Sequence, residues 1–332
     1  MLKNKSVLVL LILSLAVIGC VQPAEEKKED VLVPGVYAIV TFGSANKLAI
    51  FDTSTYEVVK TIPLSVENDH GLRVSSDNNL IIVTSRNSNA VVIIDVNTLE
   101  EVRKISVGEV SHHSTITTDN RYIYTPNIFS DDVSVIDTST WKEIKRIDFG
   151  PDTGPTQVEN TPDDRWIWVI TEKSNELVLI DAAAMSIKSR WSLPHVPRDL
   201  VVSPDGKTVY VTDSTSVLGY DIDGNKKFDL VVGKGERLRG IDISEDGNTL
   251  YVNDMNSDEL FKVDIPGATW TKIADLSTKA GCGLRVSPDG KQVWTVTQGD
   301  DDIYVFNTAT DKLIAKMPMY ADPHEIDFIT VK

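Results

Sequence analysis

Only five histidines occur in 332 residues, and three of them, His70, His112 and His324, occupy one position of an internal repeat. The other two stand close by: His113 adjoins His112, and His195 precedes Arg198 by three residues. Counting back seven residues from the turn aspartates Asp77, Asp119, Asp163, Asp205, Asp246 and Asp289 gives His70, His112, Thr156, Arg198, Arg239 and Cys282. The run "HEIDF" places His324 in the same register. Imidazole and thiolate are the donors that copper, zinc and haem iron prefer. Guanidinium forks instead take carboxylates and other anions. One repeat position thus divides into an expected metal-ligating set, His70, His112, His324 and Cys282 with His113 beside them, and an expected anion-binding pair, Arg198 and Arg239.

The elements that carry these residues are strands. The stretches "SSDNNLIIVTSRNSNAVVIIDVNT", "TPDDRWIWVITEKSNELVLIDAAA", "SPDGKTVYVTDSTSVLGYDIDG" and "SPDGKQVWTVTQGDDDIYVFNTAT" align with hardly a gap. Their end markers, Asp52, Asp95, Asp137, Asp181, Asp221, Asp264 and Asn307, are spaced 43, 42, 44, 40, 43 and 43 residues apart. A period near 42 that holds four short strands predicts an all-β chain, a seven-bladed β-propeller of four-stranded antiparallel blades over residues 34–332. Val36 to Ile62 supplies three strands without a preceding first one, and the C-terminal "HEIDFITVK" is a first strand with no successors. Pairing the two closes the ring and removes exposed sheet edges. Closure orders four successive blades as Cys282, His324, His70, His112. Adjacent residues of a regular strand face opposite ways, so His113 joins His112 at one site only if the strand begins irregularly there, and otherwise packs between blades.

The "SPDGKTVYVTD" and "VVIIDVNT" elements resemble the YVTN family of β-propeller repeats, over essentially the whole mature chain. That resemblance implies the fold and leaves the activity open. In placement, His70, the His112–His113 pair and His324 are also similar to the channel-mouth histidines of nitrous-oxide reductase, which hold copper, and of haem-d1 propellers. This sequence has fewer histidines than the full copper cluster uses and no Cys-x-x-Cys-His segment. On the other arc, Asp213 and Asp254 follow Arg198 and Arg239 by fifteen residues, so each arginine either pairs with its own blade's aspartate or helps receive an anion. Lys173 and Arg86, on loops of the same face, add to the second alternative. No Ser-His-Asp set, P-loop or helical His-Glu-x-x-His pattern is found.

The N-terminal "MLKNKSVLVLLILSLAVIGC" has two lysines, an apolar run and a lipobox-like "VIGC". It predicts a lipoprotein signal peptide at 1–19, acylation of Cys20, and a charged tether over 20–33. With Cys20 lipidated, Cys282 is the one remaining thiol, so no intramolecular disulfide forms. The formal charge of −16 becomes about −18 without the signal, which repels phosphate backbones and excludes nucleic acid as a natural partner. The expectation is an extracytoplasmic, lipid-anchored binding protein whose channel mouth takes copper, zinc, haem or another metallo-tetrapyrrole, or a small anion. A redox enzyme at that mouth, and an interaction scaffold with a protein partner on the top face, are the alternatives.

Overall fold

The computed structural model describes residues 32–332 except 68, 235–236, 278 and 320–321. The expected signal, Cys20 and the tether as far as residue 31 lie outside the described residues. Among the described residues, 28 strands form seven four-stranded antiparallel sheets, the predicted blades. Blade 2 is typical: Asp69–Val74, Leu80–Ser85, Ala90–Asp95 and Glu100–Ser106, in that order outward. Its middle strands, "LIIVTS" and "AVVIID", are β-branched and almost wholly buried, as strands covered on both faces require. The outermost strand, "EEVRKIS", carries charge along an exposed edge, which discourages pairing with other chains.

One turn, repeated six times, sets the height of the inner strands. In blade 2 the Ser75 hydroxyl donates to Asp77 Oδ1 at 2.6 Å and accepts the Leu80 N–H at 2.9 Å. The same pair recurs as Thr117/Asp119, Thr161/Asp163, Ser203/Asp205, Ser244/Asp246 and Ser287/Asp289. The residue after each aspartate is left-handed: Asn78, Asn120, Asp164, Gly206, Gly247 and Gly290 have φ between 55° and 72°. Glycine, asparagine and aspartate tolerate that conformation, which is the physical content of the "SPDG" signature.

The ring closes as expected. Pro323–Val331 pairs antiparallel with Gly35–Phe42 and is the inner strand of blade 1. Between neighbouring blades lie seven apolar clusters. The cluster at the seam joins Trp294, Val296 and Ile303 of blade 7 to Val40 and Phe51 of blade 1 and to Ile326 and Phe328 of the closing strand. No interface is left without an apolar core, so the ring holds without disulfides.

Candidate functional site: a histidine and arginine mouth

At the mouth the inner strands depart from regular pairing. Gly71 pairs with Thr84 and Asp69 with Ser85, so His70 is an extra residue. Thr156 is extra between Pro155 and Gln157 in the same way. His324 and Glu325 together face Thr41, Arg239 and Gly240 face Asn253, and residues 281–283 face Val296. In blade 3 the regular inner strand is only Thr115–Ile116, and Ser111 bridges to Asn127, so residues 112–114 run opposite 125–126. Blade 5 alone keeps regular register, with Asp199 opposite Thr212 and Arg198 N donating to Thr212 O. A bulge turns its extra residue toward the face of its neighbour. The bulged residue and the next one therefore both look into the channel, and His113 reaches the site beside His112.

The residues that follow the bulge form a second tier: Gly71, His113, Gln157, Asp199, Gly240, Gly283 and Glu325. Two residues further, Arg73, Thr115, Glu159, Val201, Asp242, Arg285 and Asp327 form a third. An enclosed cavity of about 10 Å³, room for one water, is lined by His113, Gln157, Asp199 and Glu325 from the second tier and Arg73, Glu159 and Arg285 from the third. Glycine in the second tier lets neighbouring strands close up. A Cβ on Gly71 would stand 2.9 Å from His113 Cα and 3.0 Å from His112 O, and one on Gly283 would stand 2.8 Å from His324 O.

Four imidazoles meet here. His70 Nε2 lies 2.5 Å from His112 Nε2, and the His70 ring stacks parallel to His113 at 5.1 Å and packs on His324 at 4.1 Å. Two donor sets result, His70/His112/His113 and His113/His324/Glu325, each with its ligand atoms within 4.8 Å of one another. All five residues are buried. His113 Nε2 approaches Glu325 Oε1 to 2.9 Å, an ion-pair distance, but off the hydrogen-bonding line. Along with these two atoms, His112 Nδ1, His113 Nδ1 and His324 Nδ1 have no hydrogen-bond partner among the described residues. Burial lowers the His70 and His112 pKa values well below the ordinary imidazole range, helped by the neighbouring imidazoles and Arg86. Burial likewise brings His324 down to about 4, against the opposing charge of Glu325. Burial would raise the Glu325 carboxyl, but His113, His324 and Arg285 outweigh it and hold it below the usual carboxylate range.

Cys282 departs from the expected ligand set. Its Sγ accepts the Arg239 Nε–H at 2.7 Å, burial pushes the thiol up to about 12, and neither donor set includes it. The sulfur is therefore a protonated, neutral acceptor at neutral pH. On the arginine arc, Arg198 Nη1 stands 3.7 Å from Glu172 Oε2. Asp213 spends Oδ1 on the backbone of Thr215 and Ser216, and Asp254 receives the backbone N–H groups of Arg237, Asn256 and Ser257. Thr156 is buried, and its hydroxyl reaches Ile170 O at 3.5 Å. Lys173 donates to Ile128 O at 2.9 Å and pairs with Asp131 at 3.4 Å. His195 is exposed, away from the set.

Glu325 and the third tier were missed by counting to a single register. Arg73 pairs with Glu159, and the half-buried Arg285 feels the charges of Asp242, Asp327, Glu325 and Asp199. Burial pushes Asp199 up to about 6 against the pull of Arg285 and His113. Asp327 and Asp242 accept backbone N–H groups from the next blade, Val74 and Val286, each at 2.7 Å. Alternation by two from His70 or His324 leads instead to Leu72 and Ile326 in the apolar core, and only a count from the second tier, as from His113 to Thr115 or Glu325 to Asp327, reaches these positions.

The YNCE-like beta-propeller family matches residues 120–281, and the cytochrome D1 heme domain family matches residues 35–148, a stretch that holds His70, His112 and His113. No curated protein matches the chain. Hydrazine synthase of Kuenenia stuttgartiensis superposes with TM-score 0.71 at 18% identity, covering 86% of this chain and 92% of that one. Dihydro-heme d1 dehydrogenase NirN, in complex with DHE, gives 0.64 at 15% identity, over 88% of this chain and 74% of that one. A putative 6-phosphogluconolactonase from Bacteroides fragilis gives 0.73 at 19%, over 89% and 98%. At these identities the likeness shows the fold and leaves the chemistry open. The chain is a seven-bladed β-propeller, similar over its matched stretches to the YNCE-like and cytochrome D1 propellers.

Proposed function

We propose that the protein is an extracytoplasmic, lipid-anchored binding protein that holds a transition-metal ion at the channel mouth through His70, His112 and His113, with His324 and Glu325 as the adjoining donors. The observation that carries this reading is the pair of buried donor sets sharing His113, five of whose polar atoms lack hydrogen-bond partners. Buried polar groups are ordinarily satisfied, and an ion satisfies several at once. The lowered imidazole pKa values favour the neutral rings that coordination requires. Two nitrogens bound at about 2.0–2.1 Å to one ion stand at most roughly 4.2 Å apart, so small side-chain rotations suffice to gather either set.

A second reading, haem or a related tetrapyrrole, is supported by the haem-domain match across three of the four clustered histidines. Titration of copper(II), zinc(II) and haem into wild type separates the two. Saturable binding of an ion, with His70→Ala, His112→Ala, His113→Ala and His324→Ala each weakened and Cys282→Ser and His195→Ala unchanged, is the expected result. Equal affinity across the whole set, or no binding by wild type, rejects the metal reading. A Soret band lost in the same four variants, without ion binding, selects haem. Anchoring has its own test: Cys20→Ala moves the protein from the membrane fraction to the soluble one, and retention after a salt wash would refute the lipid anchor.

A further inference from the structure

The arginine arc holds buried guanidinium N–H donors that no acceptor among the described residues meets. Burial disfavours the ionised form of Arg198, Glu172 opposes it, and Arg237 and Arg239 lie close enough to add to it. Glu172 stands 3.7 Å from Arg198, Glu172 and Glu325 act on Arg239, and Asp254 accepts the Arg237 backbone N–H. Arg239 spends its Nε on Cys282, a protonated thiol that contributes no counter-charge. Arg198 Nε and Arg237 Nε are buried without an acceptor among the described residues. Arg86 adds a fourth positive group on the histidine side, where its charge is felt by His70, His112 and His324. A chain of formal charge −16 thus gathers cations around one opening. Half-buried like charges are costly unless an opposite charge completes them, and a cleft of one sign focuses the field for a ligand of the other.

We infer that the mouth binds a small oxyanion or carboxylate on Arg198, Arg237 and Arg239, beside the imidazole set. This deepens the proposed metal-binding function by naming the class of the second ligand, and it holds for the metal-free protein too, because the guanidiniums alone supply the donors. Arg198 and Arg237 are the residues with donors to spare. Arg239, tied to Cys282, orients the arc.

The test is calorimetric titration of inorganic phosphate and of acetate into the intact, chelator-treated protein, at low and at 0.5 M salt. Wild type should bind at least one of them, more weakly at high salt. Arg198→Gln/Arg237→Gln should lose about tenfold or more in affinity, because two charge-assisted donors are gone. Arg198→Lys/Arg237→Lys should recover part of it, since the charge is kept and the fork lost. Phosphate binding alone identifies a tetrahedral oxyanion, and acetate binding a carboxylate. His70→Ala should keep the anion affinity while losing the metal, so that the two readings fail separately. No binding of either anion by wild type, or unchanged binding by both double variants, overturns the inference.

Discussion

The two ends of the inner strands obey different rules. At the turn end, six blades repeat one device, a Ser or Thr hydroxyl on an Asp with a left-handed residue after it, and hydrogen bonds of 2.6–2.7 Å recur from blade to blade. At the mouth, six blades share a bulge but not a side chain, and buried polar atoms go without partners. A repeat protein holds itself together with what recurs; what differs at one register is free to serve a ligand. The bulge sits at the mouth alone, recurring in position like the turns but individual in side chain.

The largest expected effect erases the comparison altogether. Deleting Pro323 to Lys332 removes the inner strand of blade 1, including Ile326, Phe328 and Ile329 from the core, together with His324 and Glu325. The truncated protein should fail to give a cooperative thermal transition and should aggregate. A melting curve like that of the intact chain would remove the basis for the closure. Next, Gly71→Ala strikes the mouth through backbone alone, since its Cβ would press on His113 Cα and His112 O, neither of which is a flexible side-chain end. We expect destabilisation of about 1–3 kcal/mol and loss of metal affinity with all four histidines intact. Unchanged metal binding in this variant would show that the close approach of blades 2 and 3 does not position the pair.

Acid sharpens the comparison further. His70, His112 and His324 take up protons in the folded state at lower pH than in the unfolded chain, where imidazole titrates near 6.5. Below that value the unfolded state binds more protons, so their contribution to stability falls as pH drops from about 6.5 toward the folded value, about 4 for His324. Asp199, raised to about 6, acts with the opposite sign, because its folded form holds a proton that the unfolded chain releases at lower pH. The difference between wild type and His324→Gln, followed by denaturant midpoints in chelator between pH 7 and 4, isolates the histidine. The wild type should lose more stability over that window, and parallel profiles would contradict the burial argument. For the same reason coordination should weaken at lower pH than the 6.5 at which a free imidazole protonates. The smallest effect belongs to the turn end: Ser203→Ala removes one copy of a sixfold device and should cost about 1 kcal/mol, measured by denaturant unfolding, with metal and anion affinity untouched.

Much of this was legible because propeller repeats write their turns in residue types. Asp77 and its five counterparts set a ruler, and seven residues back the ruler met His70, His112 and Arg239 without any knowledge of packing. Cys282 satisfied the same count and proved to be a partner of Arg239, because the bulge in blade 7 is longer, with residues 281–283 opposite one, and register alone does not say where a side chain turns. Glu325 was passed over for the converse reason: it is off the counted position, and only a bulge brings two successive residues to one face. Arg237 was invisible to a count that assigns one residue per blade.

The closing strand also governs when the mouth becomes complete. His324 and Glu325 follow His113 by more than 200 residues, so during synthesis the first donor set can assemble long before the second. An ion gripped by both would tie the closing strand of blade 1 to blades 2 and 3, and loading would act as a latch on that strand: a chain cut short or nicked near its end would retain three histidines yet have nothing to fasten.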